Sequence, residues 1–398
     1  MKKVLFSIIS ILLVFTVSAC GSIENKETVR NEEQSGGSDT IKVGMLTALS
    51  GVGSNYGIPT KNSAQLAVNE INDSGGLLGK KLELVVGDSG SDPKTASDSA
   101  KALLNKNKVD VLFAATNSAE RNAILPVAEK TDQLFFYTVL YEGGAYSKNM
   151  FINGEVPDQQ VVPVYPYMME QYKGKKWFIV GSDYVWPRKT SEVVNEVVKK
   201  ANGEVVGEEY LPLGTSNFTS IVSKIQSTKP DFISLELIGS DLIAFMKQFH
   251  GMGLHETVKV IALSGDENVV DALGKDGVGM FISAAYFYDM DTPENKRFLE
   301  AYFKANGKDA PKPNFTNVPS YDAVHLWAKA VEKANTLESE KVKEFLTKVS
   351  FNGPRGEVSY EEESRHATLP IFLGEVQRDG KIKMVKDFGK IPPGNQRK

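Results

Sequence analysis

The sequence predicts an α/β fold with two Rossmann-like lobes, each a parallel sheet covered by helices. From Ile41 onward, short apolar runs alternate with amphipathic segments, a pattern typical of parallel sheets covered by helices. The alternation forms two series of comparable size, one before Pro157 and one after it. After Pro293 the pattern changes to three helices followed by more β segments. A chain that crosses back between the lobes explains this change.

The first series contains five predicted strands and three predicted helices. Gly75 and Gly76 end the first helix, while Asp92 and Pro93 supply an N-cap and a first-turn proline for the second. The predicted strands are Ile41–Thr47, Leu82–Val86, Val109–Ala114, Leu134–Tyr137 and Met150–Ile152. The predicted helices are Ile58–Asn72, Lys94–Leu104 and Ala119–Lys130.

The second series is organised around the apolar run Trp177–Val180, which reads as a strand buried on both faces. A Gly-Ser-Asp turn follows, and Pro187 suits the first turn of a helix. Tyr184 and Trp186 therefore lie beyond the carboxyl end of a strand, where ligands bind in open α/β sheets. Packing of both rings against a neighbouring helix is the alternative. The other predicted elements are helices Gln159–Tyr172, Thr190–Ala201, Phe218–Gln226 and Asp241–His250, and strands Glu204–Tyr210, Asp231–Leu237, Val258–Leu263 and Met280–Ala284.

The last part of the chain is predicted to be helical first and β later. The turn Arg378–Gly380 joins the final two strands. The helices are Pro293–Asn306, Val318–Ala334 and Glu338–Val349, and the β segments are Gly353–Tyr360, Leu369–Gln377 and Lys381–Phe388.

Composition excludes several classes of function. The 398 residues carry a formal net charge of -4 and no basic run, which argues against a nucleic-acid partner. The single cysteine, Cys20, allows no internal disulfide. The four histidines show no metal-ligand spacing, so no metal site is expected.

The start of the chain has the pattern of a targeting segment. Lys2 and Lys3 precede the apolar run Val4–Val17, which is too short for a stable transmembrane helix. The run leads into V-S-A-C, which predicts a lipoprotein signal at residues 1–19 and lipidation of Cys20. An ordinary secretory signal is the alternative. Residues 20–40 contain the lipidated cysteine and almost no apolar side chains, so a disordered tether is expected there.

No catalytic or cofactor motif is complete. Gly51, Gly53 and Gly57 follow a strand, but a dinucleotide-binding fingerprint needs glycine where this chain has Tyr56. This segment therefore reads as a small-residue loop that lines a cleft. Phosphate-loop and nucleophile-elbow patterns are absent from the sequence. We expect a protein that is not an enzyme and that needs no cofactor.

Several motifs resemble those of the type I periplasmic binding proteins. They include I-K-V-G-M-L-T-A-L-S-G at Ile41–Gly51 and A-V-N-E-I-N-D-S-G-G-L-L-G at Ala67–Gly79. The segment V-G-S-D-Y-V-W-P-R at Val180–Arg188 is similar to the branch that binds urea and short-chain amides. The same branch is indicated by the segments Tyr141–Asn149, Pro157–Gln160 and Ala285–Asn295.

The resemblance implies two lobes joined by three crossover strands that close on a small ligand by hinge motion. The crossovers are expected near Phe151–Pro157, Ser283–Tyr288 and Asn352–Tyr360. The first lobe would then comprise residues 41–154 and 286–352, and the second lobe residues 155–285 and 353–398.

The resemblance also places six ligand-binding residues. In the first lobe these are Ser118, which would hydrogen-bond the ligand and could also cap a helix, and the backbone at Val139. In the second lobe Tyr184 would close over the ligand, Trp186 would line the pocket, and Asp266 would accept N–H bonds or cap a helix. Tyr286, at a crossover, would form a further wall.

One departure from the urea branch concerns the charge of the pocket. The chain reads L-E-L-I-G at Leu235–Gly239, with Glu236 in place of a small polar residue. If Glu236 faces the cleft, Asp266 and Glu236 would together favour a cation. If Glu236 faces the sheet edge, the pocket stays neutral.

The sequence therefore predicts a monomeric, lipid-anchored substrate-binding subunit of an ABC importer at the outer face of the bacterial cell membrane. Its ligand would be urea, a short-chain amide or a related small polar compound, and its partners the ABC permease and ATPase. A surface receptor or sensor for branched-chain amino acids or other small amines is the first alternative. An anchored α/β enzyme is the second.

Overall fold

The computed structural model describes residues 40–51 and 53–394. The predictions for the signal segment, Cys20 and the tether lie outside these residues, except for Thr40. The described strands form two sheets within one unit of the chain, Asp39–Lys398.

The first sheet has five strands, all parallel, in the order β2-β1-β3-β4-β5. Strands β1, β2 and β3 are each followed by a helix, as the alternating pattern predicts, and a loop joins β4 to β5. The strands are β1 (Thr40–Thr47), β2 (Lys81–Asp88), β3 (Val111–Ala115), β4 (Phe135–Tyr137) and β5 (Met150–Ile152). The helices between them are α1 (Ser54–Asp73), α2 (Pro93–Lys101) and α3 (Ser118–Lys130), and a π-helical turn at Ala102–Asn107 continues α2.

The second sheet has nine strands and is mixed. Its parallel part is formed by β7-β6-β8-β9-β10, and β11 to β14 join antiparallel to one another and to β10. The strands are β6 (Lys176–Ser182), β7 (Glu204–Leu211), β8 (Phe232–Glu236), β9 (Lys259–Ala262), β10 (Phe281–Ala284), β11 (Ser350–Gly353), β12 (Gly356–Tyr360), β13 (Ala367–Val376) and β14 (Ile382–Ile391). The helices before β10 are α4 (Pro157–Val161), α5 (Val164–Tyr172), α6 (Val185–Lys200), α7 (Thr219–Thr228), α8 (Gly239–Gly251) and α9 (Glu267–Leu273).

Three helices between β10 and β11 return to the first sheet. These are α10 (Pro293–Asn306), α11 (Val318–Ala334) and α12 (Ser339–Leu346). Helices α10 and α11 both pack against α1, and α11 also contacts β3. The chain thus passes between the sheets three times, over residues 153–156, 285–292 and 347–366, and the third passage includes the β11–β12 hairpin at the edge of the second sheet.

Buried polar contacts connect the three passages. The Arg355 guanidinium, in the third, donates to the backbone carbonyl of Asn153 in the first, at 2.8 Å. The Glu155 carboxylate, in the first, accepts the backbone N–H of Ala285 in the second, at 2.9 Å. Burial raises the pKa of Glu155, although the nearby Arg355 charge opposes this shift.

Two predicted elements differ from the structure. The helix predicted at Gln159–Tyr172 is two helices, because Pro163 lacks the N–H that a continuous helix would need there. The β segment predicted at Gly353–Tyr360 is a strand, β12, that begins three residues later, at Gly356, and pairs with β11, a strand that the sequence did not indicate. None of the described helices is long and apolar enough to cross a membrane.

Candidate functional site

A cavity lies between the carboxyl ends of the parallel strands of the two sheets. Most of its wall comes from loops and helix starts that follow β1, β2, β3 and β4 in the first sheet and β6, β7, β8 and β9 in the second. This is the edge at which open α/β sheets bind ligands. The cavity measures about 110 Å³, well below the roughly 300–1,000 Å³ of drug-sized pockets. Its size therefore suits a ligand of few atoms.

The wall of this cavity is mainly apolar and aromatic, with several hydroxyl groups. Among the described residues that form it, none is a lysine, an arginine or a histidine, and Glu120 is the one carboxylate. The wall consists of Ala48, Gly53, Tyr56, Thr60, Ser91, Ala115, Thr116, Asn117, Ser118, Glu120, Tyr137, Val139, Leu140, Tyr184, Trp186, Leu213, Ile238, Ser264 and Thr316.

Ser118 is the first residue of α3 and lines the cavity from the first sheet. The helix cap is Asn117, whose side chain accepts the backbone N–H of Glu120, and the Glu120 carboxylate accepts the N–H of Asn117 in return. The predicted capping role of Ser118 is therefore filled by its neighbour. Instead, the Ser118 hydroxyl donates to the Glu142 carboxylate at 2.9 Å.

Glu142 is held by a buried ion pair beside the cavity. Two nitrogens of Arg121 donate to the two Glu142 oxygens at 2.6 and 3.0 Å, and the side chains are 1% and 0% exposed. The guanidinium also lies over the rings of Tyr137 and Tyr141, at 5.1 and 4.7 Å from their centroids. This pair keeps both charges compensated within the protein.

Tyr184 and Trp186 line the cavity from the second sheet, as predicted from their position after β6. Tyr184 precedes α6 and Trp186 is in its first turn, with ring centroids 6.3 Å apart. Burial raises the pKa of the Tyr184 phenol well above its usual value. The Trp186 Nε1 is buried and has no hydrogen-bond partner among the described residues.

Thr116 adds a second unsatisfied polar group. Its Oγ1 is buried in the cavity wall after β3 and lacks a partner among the described residues. Buried polar atoms are nearly always hydrogen-bonded. Together with Glu120 Oε1, these atoms give the cavity wall three buried polar groups without a partner among the described residues, contributed by both sheets.

The two sheets also contact each other directly at the cavity. The backbone N–H of Gly239, at the start of α8, donates to the Tyr56 hydroxyl of α1 at 3.0 Å. Gly239 has φ +52°, a conformation that glycine adopts without strain. Burial raises the pKa of Tyr56, and the nearby Asp266 charge adds to the shift. The hydroxyl therefore stays neutral and can accept this bond.

Val139 lines the cavity in the loop after β4. Gly154 packs closely on this loop, because a Cβ at position 154 would come within 2.1 Å of the Val139 carbonyl oxygen. The position of the Val139 backbone therefore depends on the absence of a side chain at the first passage between the sheets.

The structure does not place Asp266 and Tyr286 in the cavity wall. Asp266 caps α9, since its carboxylate accepts the backbone N–H of Val269 at 2.9 Å. Burial raises the pKa of Asp266 to about 6. Tyr286 is fully buried and its hydroxyl donates to Asn295 at 2.8 Å. For Asp266, the structure shows the capping role that the sequence left open.

Glu236 also lies outside the cavity wall. Its two oxygens accept hydrogen bonds from Ser191 and Ser234, at 2.8 and 2.9 Å. Burial raises the pKa of Glu236 to about 8, against the effect of these two hydroxyls. The structure therefore agrees with the alternative in which Glu236 adds no charge to the pocket.

Several wall residues are not among those the sequence identifies. Tyr56 lies in the glycine-rich segment that the sequence predicts to line a cleft, so its place in the wall could have been predicted. Thr116 and Ser264 follow buried strands, which is also where the fold class locates ligands. No sequence pattern indicated Thr316, because it lies in the loop before α11, far along the chain from the other wall residues. Within the described residues, no group of three or more histidine, cysteine, aspartate or glutamate side chains could hold a metal ion.

Comparison with known proteins identifies the family. Residues 41–394 match the family model described as "Periplasmic binding protein domain". The chain belongs to this family and has the type I periplasmic binding protein fold.

Curated relatives align over most of the chain. The "Leucine-, isoleucine-, valine-, threonine-, and alanine-binding protein" of Pseudomonas aeruginosa is 25% identical over 351 residues, which cover 87% of this chain and 93% of that protein. The "Leu/Ile/Val-binding protein homolog 6" of Brucella melitensis is 26% identical over 350 residues, covering 85% and 88%.

Solved structures show the same fold. A solute-binding protein of an ABC transporter from R. palustris, in complex with 4-hydroxybenzoate, has a TM-score of 0.81 and 26% identity, covering 89% of this chain and 98% of that one. The leucine-binding protein LivK of Thermotoga maritima has a TM-score of 0.77 and 20% identity, covering 88% and 99%. This second likeness bears on the fold alone.

Proposed function

We propose that this protein is the substrate-binding subunit of an ABC importer and captures urea, a short-chain amide or a related small polar molecule. The observation that carries the proposal is the small cavity between the two sheets, with Thr116 Oγ1 and Trp186 Nε1 buried and unpaired in its wall. An indole N–H can only donate, and a hydroxyl can donate and accept. An amide has both a carbonyl acceptor and N–H donors, so it can satisfy both groups.

Capture would proceed by closure of two lobes, with boundaries at residues 41–154 plus 286–352 and 155–285 plus 353–398. Ser118 and the Val139 backbone would hold the ligand in the first lobe, and Tyr184 and Trp186 would cover it from the second. The Gly239–Tyr56 hydrogen bond joins elements of both sheets, so it would form as the lobes close. The closed protein, as a monomer, would deliver its ligand to the permease and ATPase.

A branched-chain amino acid is the second candidate ligand. The relatives from P. aeruginosa and B. melitensis favour it by name. An amino acid also carries a carboxylate, which proteins usually bind with cations or several N–H donors. The described cavity wall contains neither lysine nor arginine, so no cationic side chain of the wall would balance a ligand carboxylate.

Thermal unfolding with separate candidate ligands tests the proposal. A ligand that binds only the folded state adds about 2.7 kcal/mol of stability at a hundred times its Kd. Urea or acetamide at low millimolar concentration is expected to raise Tm without being consumed. Stabilisation by leucine or 4-hydroxybenzoate, with no response to urea or any short amide, would contradict the amide proposal. Turnover of a stabilising ligand would point instead to an enzyme.

Location outside the cytoplasm, anchored through lipid on Cys20, is part of the proposal. Replacement of Cys20 by serine removes the thiol that would carry the lipid, so we expect the protein to move from the membrane fraction to the soluble extracytoplasmic fraction. Fractionation of cells that express each form measures this. Membrane retention of the Cys20→Ser protein equal to that of the wild type would refute the anchor.

A further inference from the structure

The Ser118 hydroxyl has one proton, and a buried carboxylate already accepts it. Ser118 Oγ donates to Glu142 at 2.9 Å, and both residues are buried, at 2% and 6% exposure. A hydroxyl whose proton is engaged still has lone pairs that accept hydrogen bonds. Ser118 lines the cavity, so what its side chain can offer a ligand there is an acceptor.

Arg121 determines the direction of that hydrogen bond. It donates to both Glu142 oxygens, at 2.6 and 3.0 Å. Arginine has donors only, and the two-point contact makes the Glu142 carboxylate the anionic, accepting partner of an ion pair. Glu142 therefore cannot donate to Ser118, and the serine proton points to Glu142. The ion pair is 1% and 0% exposed, so water does not compete for these contacts.

We propose that Glu142, held by Arg121, is a positioning residue that makes the site select ligands with an N–H and reject carboxylates. It acts through Ser118, whose oxygen is left to accept a ligand N–H. This inference rests on the proposed function and adds to it the ligand feature that the first lobe recognises, an N–H group. Neither Glu142 nor Arg121 is among the residues that line the cavity.

Acetamide and acetate form a matched pair of probes, because they have the same shape and differ in N–H and charge. Acetamide can donate an N–H to Ser118. Acetate has only acceptors, so one of its oxygens would face the serine lone pairs. An unmade hydrogen bond of this kind costs about 1–3 kcal/mol. We expect the wild-type protein to bind acetamide at least about tenfold more tightly than acetate.

Substitution of Glu142 by glutamine tests the role of the carboxylate. The glutamine carbonyl can still accept from Arg121, while its amide N–H can donate to Ser118 Oγ and turn the serine proton toward the cavity. Titration calorimetry with both probes is expected to show a change of at least about tenfold in the acetamide-to-acetate affinity ratio, in favour of acetate. A folded Glu142→Gln protein with the wild-type ratio would overturn the inference.

Because Glu142→Gln leaves the Arg121 charge without its counter-charge, a second variant keeps the ion pair intact. Ser118→Ala is expected to weaken acetamide binding about tenfold and not to weaken acetate binding, since the Ser118 side chain gives acetate no donor. Thr116→Val is the control, because a hydroxyl that can donate and accept should affect both probes alike. Weaker acetate binding in Ser118→Ala would show that Ser118 donates, and would overturn the inference.

The wild-type titrations separate this inference from the proposed function. If the wild type prefers acetamide and the Glu142→Gln ratio is unchanged, only the role of Glu142 fails. If the wild type binds acetate more tightly, or binds urea and acetamide not at all, the amide proposal fails and the inference fails with it.

Discussion

Replacement of Asp322 by alanine is expected to lower the free energy of unfolding by about 3–5 kcal/mol, because it removes the carboxylate that is hydrogen-bonded to the buried Arg355. The Arg355 Nε donates to the Asp322 carboxylate, and both side chains are 0% exposed. Burial raises the pKa of Asp322, and the nearby Arg355 charge opposes that shift. Arg355 cannot lose its charge to relieve the burial, since its guanidinium remains protonated at any ordinary pH.

The position of this pair adds to the expected effect. Asp322 is in α11, which packs on the first sheet, while Arg355 follows β11 and also binds the Asn153 carbonyl. The bond from Arg355 to Asn153 joins two of the three passages between the sheets. Without Asp322, the Arg355 side chain that makes this bond is no longer held in place. Lys94→Ala is the matched control, because the Lys94–Asp98 pair is exposed and exposed ion pairs contribute little to stability.

Guanidinium unfolding measures both variants. Urea is unsuitable as the denaturant, because it is a candidate ligand that would stabilise the folded state. The Asp322→Leu, Arg355→Met double variant is expected to recover much of the loss, since apolar replacement of a buried pair is often neutral. If Asp322→Ala lowered the free energy of unfolding as little as Lys94→Ala does, another group would have to balance the Arg355 charge, and the prediction would be wrong.

Replacement of Tyr184 by alanine is expected to weaken ligand binding at least about tenfold, or ~1.4 kcal/mol, while the fold is retained. Tyr184 lines the cavity from the second sheet. Its side chain is partly buried and packs against the hydrophobic core. Truncation of a large aromatic side chain at the centre of a closed site removes contact area and admits water. We therefore expect a larger effect on affinity than on Tm.

Titration calorimetry with acetamide or urea measures the change in affinity. Tyr184→Phe separates the hydroxyl from the ring, and any binding it retains belongs to the ring. Tyr146→Ala is the control, because Tyr146 is a 54% exposed tyrosine outside the described cavity wall. Equal affinity in Tyr184→Ala and the wild type would remove Tyr184 from the site.

Local patterns in the sequence predicted much of the framework of the site. The apolar run Trp177–Val180 and the turn after it predicted β6 and α6, since a buried parallel strand needs apolar residues on both faces. Strand β3 and helix α3 were predicted in the same way, and this placed Ser118 at the edge of the first sheet. The fold class was confirmed by the family match and by solved structures.

Sequence patterns could not predict how buried polar side chains pair. Asp266 caps a helix, Tyr286 binds Asn295, and Glu236 binds two serines. In each case the residue type fits a ligand contact equally well. The partner that decides between the two roles lies in the helix that Asp266 itself caps. For Tyr286 and Glu236 it lies on a different element, at Asn295 in α10 and at Ser191 in α6. The role therefore depends on which elements pack together.

By itself the sequence determined that this chain alternates strands and helices in two series and carries Ser118, Val139, Tyr184 and Trp186 after strands. Hydrophobic periodicity and turn residues act over a few positions, so one chain segment is enough to read them. Only the tertiary structure decided that the two strand edges face each other, that Tyr56 reaches Gly239, and that Glu142, paired with Arg121, accepts the Ser118 hydroxyl. These contacts depend on three-dimensional packing, because their geometry is set by neighbours that no local pattern specifies.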